Sequence, residues 1–319
     1  MRASSVHVHE MVSRLTRCLQ DRAPSFLHGR KFGLCVLIIF VLLNLILLIA
    51  NTAVANNAAR STTLDAVLSH GVLRVGLTLD YPPFSFRCSN NNREAAGSDV
   101  DAAIDLAAAL GVRLVIVPTT WPRLLEDAAS NAFDAAAGGI SITLSRLRHV
   151  GFSRPSSTGG KVIVAPCSNH LLLSLDRHNA STALPQGTTI AVNPGGTNAA
   201  YVSEHWPDAP TRVVQQGQQF NALLDGSADL TVTDEIEAAL VTMRHASVLC
   251  AGAARLTDEA KAWLIPRRDD VAWAAYLNRW LLQREAQSST VGLWLSRLGA
   301  RQDESGACEL SGVRTATVQ

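Results

Sequence analysis

Two acidic residues three positions apart, Asp234 and Glu237, are the side chains of this sequence with the clearest capacity for chemistry. They follow a strand-like segment, 228–232, and stand at the start of a helix-like one, 238–241. Residues three apart share one face of a first helical turn, and open α/β sheets bind ligands at the carboxyl ends of their strands. A carboxylate pair there can bind an ammonium group and also donate a proton, which indicates an enzyme and not only a binding protein.

The same spacing also has a purely structural explanation. Asp234 followed by Glu237 fits a capping-box pattern, in which each side chain accepts a hydrogen bond from a free backbone N–H at a helix start. Caps are far commoner than active sites. The pair alone therefore does not decide between the two interpretations, and other segments of the chain must.

Two further segments could bind anions. Arg146 follows a glycine-rich strand end, 138–141, where a guanidinium suits bidentate capture of a carboxylate, although an isolated arginine is more often a solvated helix residue. The turn 195–198, Gly-Gly-Thr-Asn, follows the strand-like segment 188–192 and would present free N–H groups at a helix start. A Gly-Gly turn can equally be a simple connection.

Strand-like and helix-like segments alternate at short intervals along the chain. Residues 72–77 and 114–117 are typical of buried strands, and 100–110 of a helix that ends at Gly111. This alternation predicts an α/β fold with parallel sheets and crossover helices. The predicted divisions are a leader over 1–55, a first lobe over 60–165, a second lobe over 166–254, a return to the first lobe over 255–299, and a flexible tail over 300–319.

Composition limits the classes of function. The 319 residues carry a formal net charge of +1, with 47% hydrophobic and 17% charged residues, which is enough for two lobes with proper cores. No basic stripe with interleaved aromatic residues is present, so nucleic acid is not an expected partner.

An apolar stretch, 34–50, follows Arg30-Lys31 and precedes Ala53-Val54-Ala55, the pattern of a secretory signal. The stretch is long for a cleaved signal and just short of a standard spanning helix, so an uncleaved anchor in the inner membrane is the alternative. Either way the remainder is exported, which in a bacterial cell means the periplasm. Cleavage of the leader and the true start codon stay open.

Export makes disulfides possible. Cys167 and Cys250 bracket the second lobe and could pair in an oxidising compartment, while the partners of Cys88 and Cys308 stay open. No Cys or His pattern has metal-ligand spacing, so neither a metal nor another cofactor is predicted.

Motifs spread over 63–298 carry a resemblance to a known family. The order aromatic loop, Gly-Gly-Ile-Ser-x-Thr-x-x-Arg, then Phe-Ser-x-Pro resembles the family 3 extracellular solute-binding proteins, the amino-acid receptors of ABC transporters. Several segments are more closely similar to the cyclohexadienyl dehydratases, periplasmic enzymes of that fold, namely 71–75, 117–122, 139–142, 192–198 and 233–238. The resemblance implies two lobes of the type II periplasmic-binding-protein kind, each a mostly parallel sheet flanked by helices, with the ligand in the cleft between them.

The resemblance also implies roles for single residues. Glu237 matches the proposed general acid of the dehydratases, Asp234 matches the acid that binds an α-ammonium group, and Arg146 matches the arginine that holds a carboxylate. Trp121 and Phe84 would wall the substrate ring. The other substrate-binding positions that it implies are Gly139, Ser141, Lys161, Thr197 and Asn198. Cys167 and Cys250 fall where the dehydratase has cysteines.

Three positions depart from the expected pattern. Ala199 replaces an acidic residue, Ser156 stands where a tyrosine is usual, and Gly159 replaces an acidic residue two positions before Lys161. The differences at 156 and 159 lie where the chain crosses between lobes, so they concern substrate fit or closure more than fold.

A general acid needs an unusual pKa. An ordinary glutamic acid with a pKa of about 4.3 is only ~0.2% protonated near pH 7. Burial and the like charge of Asp234 can raise the pKa of Glu237 by about 2–3 units, provided that the lobes close over the substrate and exclude water.

The resemblance thus implies a cyclohexadienyl dehydratase activity, that of a carbon–oxygen lyase that converts prephenate to phenylpyruvate, arogenate to phenylalanine, or both. The alternative is a non-catalytic amino-acid receptor that feeds an ABC permease. A membrane-tethered sensor domain is suggested only by the leader. The preferred substrate and the oligomeric state stay open.

Overall fold

The computed structural model describes residues 37, 39–49, 51, 62–88, 91–175, 184–285, 290–299, 308 and 313–318. The chain divides into two compact units, Met1–Ser61 and Thr62–Gln319. The described residues of the first unit are helical, and the predicted cleavage sequence at 53–55 lies outside the described residues. Within the described ranges, no helix combines the length and the apolar character needed to cross a membrane.

The second unit contains all the elements that matter for a site. Its helices are α1 Thr63–His70, α2 Ser98–Leu110, α3 Leu124–Ala129, α4 Leu144–Leu147, α5 His170–Leu173, α6 Thr197–His205, α7 Gln219–Leu224, α8 Glu235–Arg244, α9 Val271–Glu285 and α10 Thr290–Gly299. Its strands are β1 Val72–Leu77, β2 Asp80–Tyr81, β3 Ser85–Cys88, β4 Asn91–Ala96, β5 Arg113–Pro118, β6 Ala135–Ala136, β7 Gly151–Phe152, β8 Ser157–Gly159, β9 Lys161–Pro166, β10 Ile190–Val192, β11 Thr211–Val213, β12 Leu230–Asp234, β13 Leu249–Ala251, β14 Glu259–Lys261, β15 Leu264–Ile265 and β16 Ala316–Thr317.

The first five-stranded sheet has the order β5-β1-β6-β15-β7. Strands β5, β1 and β6 run parallel, whereas β15 pairs antiparallel with β6 and β7. Its core includes apolar residues of β1 and also Trp273 and Leu277 of α9, which are fully buried. The chain therefore returns to this sheet after building the second one.

The second five-stranded sheet has the order β11-β10-β12-β9-β13. Strand β10 runs parallel to β11 and β12, and β9 pairs antiparallel with β12 and β13. The segments that connect the two sheets, β8 and β14, pair with each other. The predicted two-lobed α/β fold with largely parallel sheets is confirmed.

The carboxyl-terminal end differs from the prediction of a flexible tail, which is wrong for residues 313–318. Ala316 and Thr317 of β16 pair with β4, and Ala316 is buried. Arg314 forms an ion pair with Asp105 at 2.5 Å. A disulfide between Cys88 and Cys308 ties the same end to β3. The polar composition of this segment gave no indication of a short strand, whose few apolar residues complete the core.

The disulfide predicted for the second lobe is confirmed. Cys167, directly after β9, forms a disulfide with Cys250 of β13. Strands β9 and β13 are neighbours in the second sheet.

Candidate active site

Asp234 and Glu237 lie at the junction of β12 and α8, where the sequence pattern predicts them. Asp234 is the extended residue before the helix, with φ −75° and ψ 146°, yet its side chain makes no capping hydrogen bond. Both side chains are buried, with 5% and 4% of the residue exposed, and both contact other side chains. The capping-box interpretation is therefore wrong: these carboxyl groups belong to a buried polar cluster.

Asp234 is surrounded by donors. Lys261 Nζ lies 2.5 Å from its Oδ2 and Lys161 Nζ lies 3.4 Å from its Oδ1. The hydroxyl of Tyr81 donates a short hydrogen bond to Oδ2. Burial alone would raise the pKa of Asp234, but the two ammonium charges and these hydrogen bonds outweigh it and lower the pKa to about 2.

The chain contains three lysines, Lys31, Lys161 and Lys261, and the last two meet at Asp234. Lys161, at the start of β9, also donates to Thr197 Oγ1 at 2.9 Å and Asn198 Oδ1 at 2.7 Å. The Gly-Gly-Thr-Asn turn thus contacts a buried ammonium group through its side chains.

Lys261, at the end of β14, is held in place from several sides. Its Nζ donates to Ser141 Oγ at 2.7 Å, and Ser141 in turn donates to Glu259 Oε2 at 2.7 Å. The carboxylate of Glu259 also lies 3.1 Å from Lys161 Nζ. Burial would raise the pKa of Glu259, but the two lysine charges lower it below its usual range.

Arg146 lies in the short helix α4, which begins after Thr143. Its guanidinium is buried and donates to the Ser141 carbonyl at 2.8 Å. Burial lowers the pKa of Arg146, partly opposed by the charges of Glu259 and Asp234, although an arginine stays protonated at any working pH.

Glu237 lies in a different environment. Its Oε2 accepts a short hydrogen bond from Thr233, and its Oε1 accepts from Gln216 Nε2 at 3.0 Å and Gln219 Nε2 at 3.4 Å. Burial is the main cause that raises the pKa of Glu237 to about 8, the Thr233 hydrogen bond opposes this, and the charge of Asp234 adds to it. Two carboxyl groups three residues apart therefore differ in charge at neutral pH: Asp234 is ionised and Glu237 is largely protonated.

Two cavities meet at this cluster. The smaller, with an empty volume of about 300 Å³, is lined by Tyr81, Trp121, Gly139, Ser141, Arg146, Asn193, Gly196, Thr197, Asn198, Gln216, Asp234 and Lys261. The larger, of about 1120 Å³, contains Asp80, Arg87 and Glu237 in its wall. Gln216 lines both cavities and hydrogen bonds to Glu237, so it forms the partition between them.

The aromatic residues of the site are Tyr81, Trp121 and Phe84. Tyr81 meets Trp121 edge to face at 5.7 Å and stacks on Phe84 at 5.5 Å. Trp121 lines the smaller cavity, whereas Phe84 is only 2% exposed and packs behind Tyr81 and Gly139. A Cβ on Gly139 would lie 2.6 Å from Phe84, and its φ of +73° also favours glycine.

Sequence reasoning missed Tyr81, Lys261, Glu259, Asn193 and Gln216. Two signals could have found two of them: Tyr81 belongs to the aromatic loop of the family motif, and Lys261 is one of only three lysines in the sequence. Gly159, one of the departures from the family pattern, lies where a Cβ would be 3.2 Å from Glu235 Oε2. An acidic side chain there would face that carboxylate, which gives the departure a physical reason.

The raised pKa of Glu237 predicts a pH-dependent stability. Above the ordinary value of 4.5 the unfolded chain releases this proton, while the folded protein keeps it up to about pH 8. The free energy of unfolding therefore falls across that window, by up to about 1.4 kcal/mol per pH unit. Between pH 6 and pH 8 we expect the wild type to lose about 2 kcal/mol relative to Glu237→Gln in urea unfolding. If the difference in unfolding free energy between the wild type and Glu237→Gln were the same at pH 6 and pH 8, the raised pKa of Glu237 would be contradicted.

Comparison with known proteins gives consistent results. The sequence profile of the bacterial extracellular solute-binding proteins, family 3, matches residues 73–290. A curated cyclohexadienyl dehydratase of Pseudomonas aeruginosa is 40% identical over 236 residues, 73% of this chain and 85% of that protein. An L-cystine-binding protein of Escherichia coli is 34% identical over 97 residues, 30% of this chain and 36% of that protein.

Solved structures agree on the fold. An ancestral amino acid-binding protein, a precursor of cyclohexadienyl dehydratase, matches with a TM-score of 0.63 and 30% identity, covering 75% of this chain and 99% of that one. A variant of an arginine-binding protein from T. maritima matches with a TM-score of 0.63 and 27% identity, covering 75% of this chain and all of that one, 100%.

Proposed function

The chain belongs to the bacterial extracellular solute-binding proteins of family 3, and on that premise we propose that it is a cyclohexadienyl dehydratase. The reaction removes water and carbon dioxide from prephenate to give phenylpyruvate, or from arogenate to give phenylalanine. An exported enzyme of this kind would work in the periplasm, as the family does. A small-molecule ligand in the cleft is common to the whole family.

The observation that carries the proposal is the buried, largely protonated carboxyl group of Glu237. Its pKa of about 8 leaves it about 90% protonated near pH 7. A transport receptor that only binds its ligand has no use for a neutral acid whose burial costs stability at working pH. The general acid of a dehydration, in contrast, must be a carboxyl group that stays protonated at working pH.

The proposed step balances in protons and electrons. Glu237 donates its proton to the ring hydroxyl, which leaves as water. The electron pair of the bond to the ring carboxylate then moves into the ring as carbon dioxide departs, and the ring becomes aromatic. Glu237 regains a proton from solvent, so one proton is consumed in each turnover of prephenate.

Other residues of the cleft would bind and orient the substrate. Arg146 offers a buried guanidinium for a carboxylate. Trp121 and Tyr81 present aromatic surface to the ring. Closure of the cleft over the substrate would exclude water and so strengthen each of these interactions.

A direct assay tests the proposal. Purified protein incubated with prephenate should form phenylpyruvate, read by its ultraviolet absorbance in base, and incubated with arogenate it should form phenylalanine. Tight binding of an amino acid without turnover of either substrate would favour the receptor function, which the similarity to the amino acid-binding structures supports.

The pH dependence of turnover is a second test. Because the protonated form of Glu237 is the active one, kcat/KM should be flat below about pH 8 and fall tenfold per pH unit above it. At pH 10 we expect about 1% of the plateau value. A profile that falls with a midpoint near pH 4.5 would show that the acid has an ordinary pKa.

A further inference from the structure

We propose that the cleft selects a 2-oxo acid over the corresponding 2-amino acid, here prephenate over arogenate, and that Lys261 sets this preference by occupying Asp234. The inference rests on the proposed function for its choice of substrates. It does not need turnover, since the same discrimination applies to binding of the two products, phenylpyruvate and phenylalanine.

The first step concerns the oxygens of Asp234. A carboxylate that anchors a substrate ammonium group must have oxygens free to accept its hydrogen bonds. In this structure Oδ2 accepts hydrogen bonds from Lys261 Nζ at 2.5 Å and from the Tyr81 hydroxyl, and Oδ1 accepts one from Lys161 Nζ at 3.4 Å. The protein itself therefore supplies the ammonium groups that a substrate would otherwise bring.

The second step concerns the charge of the cleft. The buried cations at the smaller cavity are Arg146, Lys161 and Lys261, and the ionised acids paired with the two lysines are Asp234 and Glu259. Three positive and two negative charges leave an excess of one positive charge. A substrate ammonium would enter the smaller cavity beside three cations whose two neighbouring acids are already paired with lysines, whereas the carboxylates of a dianionic substrate would be attracted.

The third step concerns how firmly Lys261 is held. Its Nζ contacts Ser141 at 2.7 Å and Glu259 at 3.7 Å besides Asp234. Its backbone pairs with Ser141 in an antiparallel bridge. To reach Asp234, an ammonium ligand would have to displace a buried lysine from all of these contacts. A 2-oxo group needs no displacement and can accept a hydrogen bond from the cations already present.

The test compares kcat/KM for the two substrates. We expect the wild type to favour prephenate at least tenfold. Lys261→Met has a similar length without charge and opens Asp234 to an ammonium group, so it should reduce this ratio at least tenfold, with a relative gain for arogenate. The matched control is Arg255→Met, which removes the cation of the exposed pair with Glu235 and should keep the ratio within about twofold.

Binding measurements separate the two proposals. Calorimetric titration of the wild type should show phenylpyruvate binding at least tenfold more tightly than phenylalanine, and this needs neither turnover nor a stable variant. Equal or tighter binding of phenylalanine, or an unchanged substrate ratio in Lys261→Met, would overturn the role of Lys261. If neither prephenate nor arogenate is turned over, the dehydratase function fails, while the binding ratio still decides the selectivity.

Discussion

Replacing Glu237 by glutamine should lower kcat for prephenate by about 10²- to 10⁴-fold, the contribution typical of a positioned general acid. The amide cannot transfer a proton to the leaving hydroxyl. KM should change little, because Glu237 is proposed to act on the leaving group and not to anchor the substrate carboxylates. Steady-state kinetics with both parameters, together with calorimetric binding of phenylpyruvate, provide the measurement.

The hydrogen bonds around position 237 make glutamine a clean replacement. Its amide oxygen can accept from Gln216 and Gln219 as Glu237 Oε1 does. Its amide N–H can donate to the Thr233 hydroxyl, which is both donor and acceptor. The buried cluster therefore keeps its geometry, and a loss of turnover reports the missing proton and not a collapsed site.

Glu235→Gln is the matched control for this experiment. Glu235 lies in the same first turn of α8, but its carboxylate forms an ion pair with Arg255 at 2.6 Å and contacts neither cavity. Its variant should keep kcat within about threefold of the wild type, as expected for a partly exposed ion pair. Equal turnover by Glu237→Gln and the wild type would remove Glu237 from the acid role and leave the receptor as the better description.

The sequence contained the position of the acid pair but not its surroundings. The strand-to-helix pattern at 228–241 predicts where Asp234 and Glu237 stand, because burial periodicity is local. Whether the pair caps a helix depends on donors far along the chain. Tyr81 and Lys261 lie 153 and 27 residues from Asp234, and no local pattern predicts that they converge on it.

The ends of the chain show the same limit. A strand of two residues, such as β16, is too short for a periodic signal, so the sequence predicts a tail where the structure has an added strand. Cys88 and Cys308 are 220 residues apart, and Cys88 lies in β3, the strand that pairs with β4, to which β16 is added. The pairing of Cys167 with Cys250 was easier to predict because both ends belong to one lobe.

The last prediction concerns the stability of the charge cluster. Asp234→Asn should lower the free energy of unfolding by about 3–5 kcal/mol at pH 7, measured by urea unfolding. The amide can still accept from Tyr81, but Lys161 and Lys261 would then share one remaining anion, Glu259, in a buried site. Removing one partner of a buried ion pair leaves an uncompensated charge, and that cost exceeds the worth of the pair itself.

Two further variants identify charge as the cause. Combining Asp234→Asn with Lys261→Met restores the balance of one lysine and one acid, so it should recover at least half of the loss, a coupling that two independent sites would not show. Asp208→Asn, at an exposed position, should change the stability by less than about 0.5 kcal/mol. A double variant no more stable than Asp234→Asn would mean that packing, and not the charge of Lys261, dominates at this site.

The lowered pKa of Asp234 adds a check on the direction of the effect. The stability that the ionised Asp234 contributes is present above pH 3.8 and is lost as the pH falls towards 2. The stability difference between the wild type and Asp234→Asn should therefore shrink in that window.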